Sequence, residues 1–109
     1  MKAFNLNFTN EDIGTIMFCI DQFKTNNDIP TSSAQKKFND ECLLSASRKL
    51  ILKNDLFSAD EYRMIYSALL YVHSILDGSS IVNDEIKSLC LTHQDSIEDL
   101  LDDLPDIVC

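Results

Sequence analysis

Apolar residues recur every three to four positions along most of this chain, the spacing of an amphipathic helix. A first helix is predicted from about Thr9 to Thr25. Thr9 and Asn10 can cap it, Glu11 and Asp12 suit the positive end of its dipole, and Ile13, Ile16, Met17, Ile20 and Phe23 share a face. Thr25-Asn26-Asn27-Asp28 reads as its exit, and Ile29-Pro30 bars continuation. A second helix starts at Thr31, Ser32 or Ser33 and runs to about Lys53, with Phe38, Cys42, Ala46 and Leu50 as its stripe, widened by Leu43, Leu44, Ile51 and Leu52. Asn54-Asp55 ends it.

The third helix is the clearest. Ser58-Ala59-Asp60-Glu61 has the form of a capping box, in which the hydroxyl accepts from the amide three residues on and the Glu reaches back. Tyr62, Ile65, Tyr66, Leu69, Val72, His73 and Leu76 then lie on one face, and Met64, Ala68, Tyr71 and Ile75 on a second. A helix apolar on most sides belongs at the centre of a domain. Asp77-Gly78 is its stop. A fourth helix begins near Ser80 or Asn83 and runs to about Thr92, with Val82, Ile86, Leu89 and Cys90 inward. An amphipathic segment from Asp95 to Leu104 either continues it or forms a short fifth helix, and Pro105 ends that.

The expected fold is all-α, an antiparallel bundle of four to five helices in one domain over residues 1–109, with 1–8 as an N-terminal extension and 94–109 as an acidic amphipathic C-terminal segment. Composition agrees. The chain of 109 residues has only two Gly and two Pro, too few turn residues for a sheet sandwich. One echo occurs at a spacing of 49 residues: Phe8-Thr9-Asn10-Glu11-Asp12-Ile13 against Phe57-Ser58-Ala59-Asp60-Glu61-Tyr62. Two pseudo-repeated helical hairpins would produce it, and so would two helices obeying the same capping chemistry; the second explanation needs less.

Charge narrows the function classes. The formal net charge is -9, which repels nucleic acid and anionic membrane surfaces and favours basic partners. Residues 1–10 lack the apolar core of a secretion signal, and no run approaches the roughly 18 apolar residues of a membrane span. A cytoplasmic protein is expected, with Cys19, Cys42, Cys90 and Cys109 as reduced, structurally passive thiols.

Little in the chain looks catalytic. His73 falls on the apolar face of the third helix, where a hydrogen-bonded core residue is the expectation; His93 falls near a helix end. No nucleophile-elbow pattern and no glycine-rich phosphate loop is present. Cys90 and His93, three apart, could offer two metal ligands, but a structural zinc site needs four, usually as two close pairs, and no second pair exists. A sensor built on Cys90, His93 and His73 is the weakest of the readings. No enzyme activity, metal or cofactor is expected.

The charge distribution is more informative. Residues 31–53 carry Lys36, Lys37, Arg48, Lys49 and Lys53 against Asp40 and Glu41, a local net of +3. Residues 94–109 carry six acids and no base. Within that stretch Ile97, Leu100, Leu101 and Leu104 follow helical spacing, flanked by Glu98, Asp99, Asp102 and Asp103. Such a segment can be a last helix docked on the bundle with its acids in solvent. It can clamp onto the chain's own basic second helix. Or it can recognise a partner, with the stripe in a groove and the acids against Lys and Arg. The last makes Ile97, Glu98, Asp99, Leu100, Leu101, Asp102, Asp103 and Leu104 the candidate site of a small binding protein that covers a basic surface, such as that of a nuclease or a nucleic-acid-guided enzyme. In size, charge and helical class the chain is similar to bacterial nuclease-immunity proteins and small phage-encoded inhibitors of host defence; no motif carries the likeness, so no residue role is transferred. The alternative is a self-associating adaptor or homodimer using surplus apolar surface at Tyr62, Met64, Tyr66 and Tyr71.

Overall fold

The computed structural model describes residues 3–6, 8–26, 32–79 and 81–104. Their order is β1 (Ala3–Asn5), α1 (Asn10–Asn26), α2 (Ser33–Ile51), β2 (Leu56–Ser58), α3 (Ala59–Leu76), α4 (Asp84–Thr92) and α5 (Gln94–Asp103). The described residues thus form an all-α bundle of five helices with one two-stranded ribbon. The expected stop at Pro105, the Ile29-Pro30 break, Thr31, Ser80 and Cys109 lie outside the described residues.

Local chemistry sets the helix starts. Thr9 and Asp12 cap α1 reciprocally: the Asp12 amide donates to Thr9 Oγ1 at 3.1 Å, and the Thr9 amide to Asp12 Oδ2 at 3.0 Å. Ser32 accepts from the Gln35 amide at 3.2 Å to open α2, and Asn83 from the Ile86 amide at 2.9 Å to open α4. Ser58 and Glu61 form the expected capping box on α3. The ends are as local. Gly78 takes φ 87° just past α3, where a residue without Cβ is favoured. Lys53 takes φ 57° past α2, while the Lys53 amide donates to Leu50 O at 3.2 Å and the Asn54 amide to Lys49 O at 2.9 Å. That is the Schellman pattern, with a lysine in the place glycine prefers.

The N-terminal residues were expected only as an extension. Of these, Ala3–Asn5 form β1, antiparallel to β2, with Phe4 opposite Phe57, and the Leu6 amide continues the pairing to Asp55 O at 2.7 Å. The ribbon ties the start of the chain to the entry of α3. Phe8 and Phe57, the residues just before the caps of α1 and α3, meet edge to face with centroids 6.1 Å apart. The echo at 49 residues therefore corresponds to two helices with matching caps and touching lead-in rings. It does not extend further: the single helix α2 follows α1, whereas the chain after α3 is divided at His93 into α4 and α5.

α3 is the centre. It packs on every other described element, and Tyr62, Ile65, Leu69 and Val72 of its first face and Met64, Ala68 and Ile75 of its second are buried. α2 contributes Leu43, Ala46 and Leu50 to the core, and α1 contributes Ile16, Cys19 and Ile20. Several expected inward residues face solvent instead. Phe38, Leu44, Ile51 and Leu52 are 46%, 47%, 65% and 78% exposed, and Leu89 of α4 is also half exposed. The reason is position: α2 lies at the edge of the bundle and can bury only the narrow sector that meets α1, α3 and β2.

Candidate functional site

α5 is a helix of its own, separated from α4 by His93, and it packs on α1, α3 and α4. Its turn at His93 makes no side-chain cap bond. Packing holds it instead: Ile97, Leu100 and Leu104 are 0%, 5% and 8% exposed, and the His93 ring stacks on Phe18 with centroids 4.4 Å apart. The stripe expected to enter a partner's groove is therefore used in this chain's own core, with only Leu101 partly exposed. The candidate residues separate into two groups. Ile97, Leu100, Leu101 and Leu104 face the bundle; Glu98, Asp99, Asp102 and Asp103, with Asp95, face solvent.

That outward face is uniformly negative. Among the described residues no lysine or arginine forms an ion pair with it. Ser96 Oγ donates to Glu11 Oε1 at 3.3 Å, which places the acidic start of α1 beside α5. Asp102 and Asp103 sit in the last turn, at the negative end of the helix dipole, and no basic residue balances them there. Each acid so placed costs about 0.3–1 kcal/mol at low ionic strength. An uncompensated cost of this kind is where local folding rules and function part company.

The intramolecular clamp between α5 and the basic helix does not form. α5 makes no contact with α2, and α1 and α3, which touch both, stand between them.

A second polar constellation was missed in the sequence. Glu61, known there only as a capping residue, is 5% exposed, and its carboxylate accepts from three donors. Lys49 Nζ donates to Oε1 at 2.6 Å, the Ser58 amide to the same oxygen at 2.7 Å, and Ser45 Oγ donates to Oε2. Lys49 also lies over the Phe57 ring at 5.8 Å. Burial by itself would raise the carboxyl's pKa; the hydrogen bonds from Lys49, Ser45 and the Ser58 amide, with the Lys49 charge, outweigh it and hold the pKa at about 2. So weak a base does not take a serine proton at neutral pH. The group is a strut joining α2 to the entry of α3. The available signal was that Ser45 and Lys49 are four apart, hence on one side of α2.

The remaining candidates are structural. His73 is a partly exposed neighbour of Asp77, with Nδ1 to Oδ2 at 3.8 Å, and not the core residue expected from its face. Cys90 is fully buried, and His93 is engaged with Phe18. Burial, and then the neighbouring Cys90, push the Cys19 thiol up to about 12; burial also raises Cys90 and Cys42. Such thiols are poor nucleophiles. No Cα of α1 comes within 8 Å of α4, too far for a Cys19–Cys90 disulfide. Of the residues proposed as surplus apolar surface, Tyr62 and Met64 are buried and Tyr66 and Tyr71 partly so, with Tyr66 edge-on to Tyr62 and Tyr71 edge-on to Phe23. Among the described residues no helix is long and apolar enough to cross a membrane, and no three His, Cys, Asp or Glu converge as a metal site.

No protein-family model, curated protein or solved structure matches this chain.

Two outcomes follow from this geometry. Glu61 is ionised more readily folded than unfolded, so its contribution is complete above its ordinary value of 4.5 and is lost as pH falls toward 2. That contribution is at most about 3 kcal/mol. Glu61→Gln should lower stability at pH 7 and flatten the dependence of stability on pH below 5; urea unfolding curves of both proteins at a series of pH values check this, and parallel losses on acidification would contradict it. Leu100→Ala should cost about 2–5 kcal/mol of stability as a core truncation. A loss below about 1 kcal/mol in the same assay would show that the α5 stripe is not core.

Proposed function

We propose that this protein acts by binding another protein, and that the outward face of α5 is the part that meets a basic surface. The observation that carries this reading is the set Asp95, Glu98, Asp99, Asp102 and Asp103, all exposed on one helix whose opposite face is anchored in the core. Anchoring matters because it presents the charges in fixed positions, so little ordering entropy is lost on contact. Density matters as well. These five acids span nine residues, which at helical rise is one charge per roughly 3 Å of axis, against about 3.4 Å per phosphate along one strand of duplex DNA. A groove built to neutralise phosphates would meet a comparable line of charge. The partner class is therefore a nuclease or nucleic-acid-guided enzyme, inhibited by occupation of its basic groove. Such an encounter belongs in the cytoplasm, where the protein's buried thiols stay reduced.

The test uses the acids that burden the helix. Asp99→Asn, Asp102→Asn and Asp103→Asn together should slow association with a partner captured from the native host and weaken its salt dependence, because rim charges steer encounter. The same triple variant should be more stable than the parent, since it removes charge from the negative end of α5. Association rates across a salt series and a thermal melt check both. Unchanged association would remove α5 from the interface, and loss of folding would show that these acids are structural.

A further inference from the structure

We infer that α2 is a self-recognition surface, through which two copies of this chain pair about a twofold axis. This surface is separate from the acidic face of α5, which α2 does not touch. Lys37, Asp40, Glu41, Leu44, Arg48 and Ile51 are all exposed, and at 100° per residue they fall within one sector of α2 about 100° wide. Within the described residues, none of the four charged members forms an ion pair with another side chain. Two large aliphatic groups and both signs of unspent charge thus share one stripe that covers no part of the chain's own core.

The order of residues in the stripe selects the occupant. Lay a second α2 antiparallel with Leu44 opposite Leu44 of the other copy. Asp40 of each copy then stands opposite Arg48 of the other, four residues from the centre on either side, with Glu41 beside it. Lys37 stands opposite Ile51, seven residues out, where its aliphatic stem can cover the branched side chain. Acid, leucine, base and isoleucine are placed so that the stripe complements its own reverse. That is the requirement of an isologous twofold interface, in which each contact occurs twice.

Long-range charge agrees with this face. The whole chain carries -9, so two copies repel in most orientations. α2 holds four bases against two acids, and pairing through it keeps the strongly acidic remainders far apart. Since α5 does not touch α2, the acidic faces of both copies stay exposed in the pair. One helix of 19 residues against its copy is a small interface, so the pairing is reversible and depends on concentration.

Sedimentation equilibrium of the full chain at physiological ionic strength, from micromolar to millimolar protein, tests this. The expected result is a monomer–dimer equilibrium. Arg48→Glu should weaken it by about tenfold or more by setting like charges opposite each other. Asp40→Lys should do the same. An equimolar mixture of the two variants should recover the dimer, because both cross-contacts are then of opposite sign. Both residues are exposed, so both variants should fold; Arg48→Glu, which puts an acid at the negative end of α2, should melt slightly lower and Asp40→Lys should melt with the parent. A monomer at every concentration would overturn the inference, as would a dimer indifferent to Arg48→Glu, a failure of the mixture to recover, or growth beyond dimer, which would indicate head-to-tail contacts.

Discussion

A chain of this size can build one core, and here that core is organised by a single helix that needs cover on several sides. α3 buries residues on two faces, and each of the other six elements touches it. Everything else is arranged by that demand. α1 and α2 cover one part of α3, α4 and α5 another, and the short ribbon covers its entry. The Glu61 strut and the Phe8–Phe57 contact both sit at that entry, where the chain turns from strand to helix. An unpaired carboxylate would be costly there; with Lys49, Ser45 and the Ser58 amide in place it ties α2 to the entry of α3.

The same arrangement separates the charges. Because α1 and α3 lie between α2 and α5, the basic helix and the acidic helix cannot neutralise each other within the chain. Each keeps an outer face that the fold does not use: on α5 a line of acids without apolar residues, on α2 a stripe of mixed charge around Leu44 and Ile51. The two faces call for different contacts. The first suits fast, salt-sensitive encounter with a basic groove. The second suits a small self-complementary interface.

Much of this was legible in the residues. Capping chemistry is local, so Ser58–Glu61 and Asp77-Gly78 bounded α3, and Thr9 and Asn83 marked the starts of α1 and α4. The central place of α3 followed from its two apolar faces. What periodicity could not decide was which half of an ambiguous stripe a neighbour would cover. On α2 the residues Leu43, Ala46 and Leu50 were chosen over Phe38, Leu44 and Ile51 by the placement of α1 and α3, which is a tertiary fact. β1 was missed because three residues of pairing leave almost no pattern. The α5 site was half legible: its amphipathic form was plain, but a stripe looks the same whether it faces the chain's own core or a partner's groove.

If α3 is the element on which the others depend, its backbone cannot open without unfolding the whole domain. Native-state hydrogen exchange measures this directly. The amides in the middle of α3, around Ile65 to Val72, should exchange most slowly, with an opening free energy equal to that of global unfolding measured in urea, while α2 and α5 open at lower cost. Exchange of the α3 amides through a smaller local opening, with α1 or α2 better protected, would contradict the account.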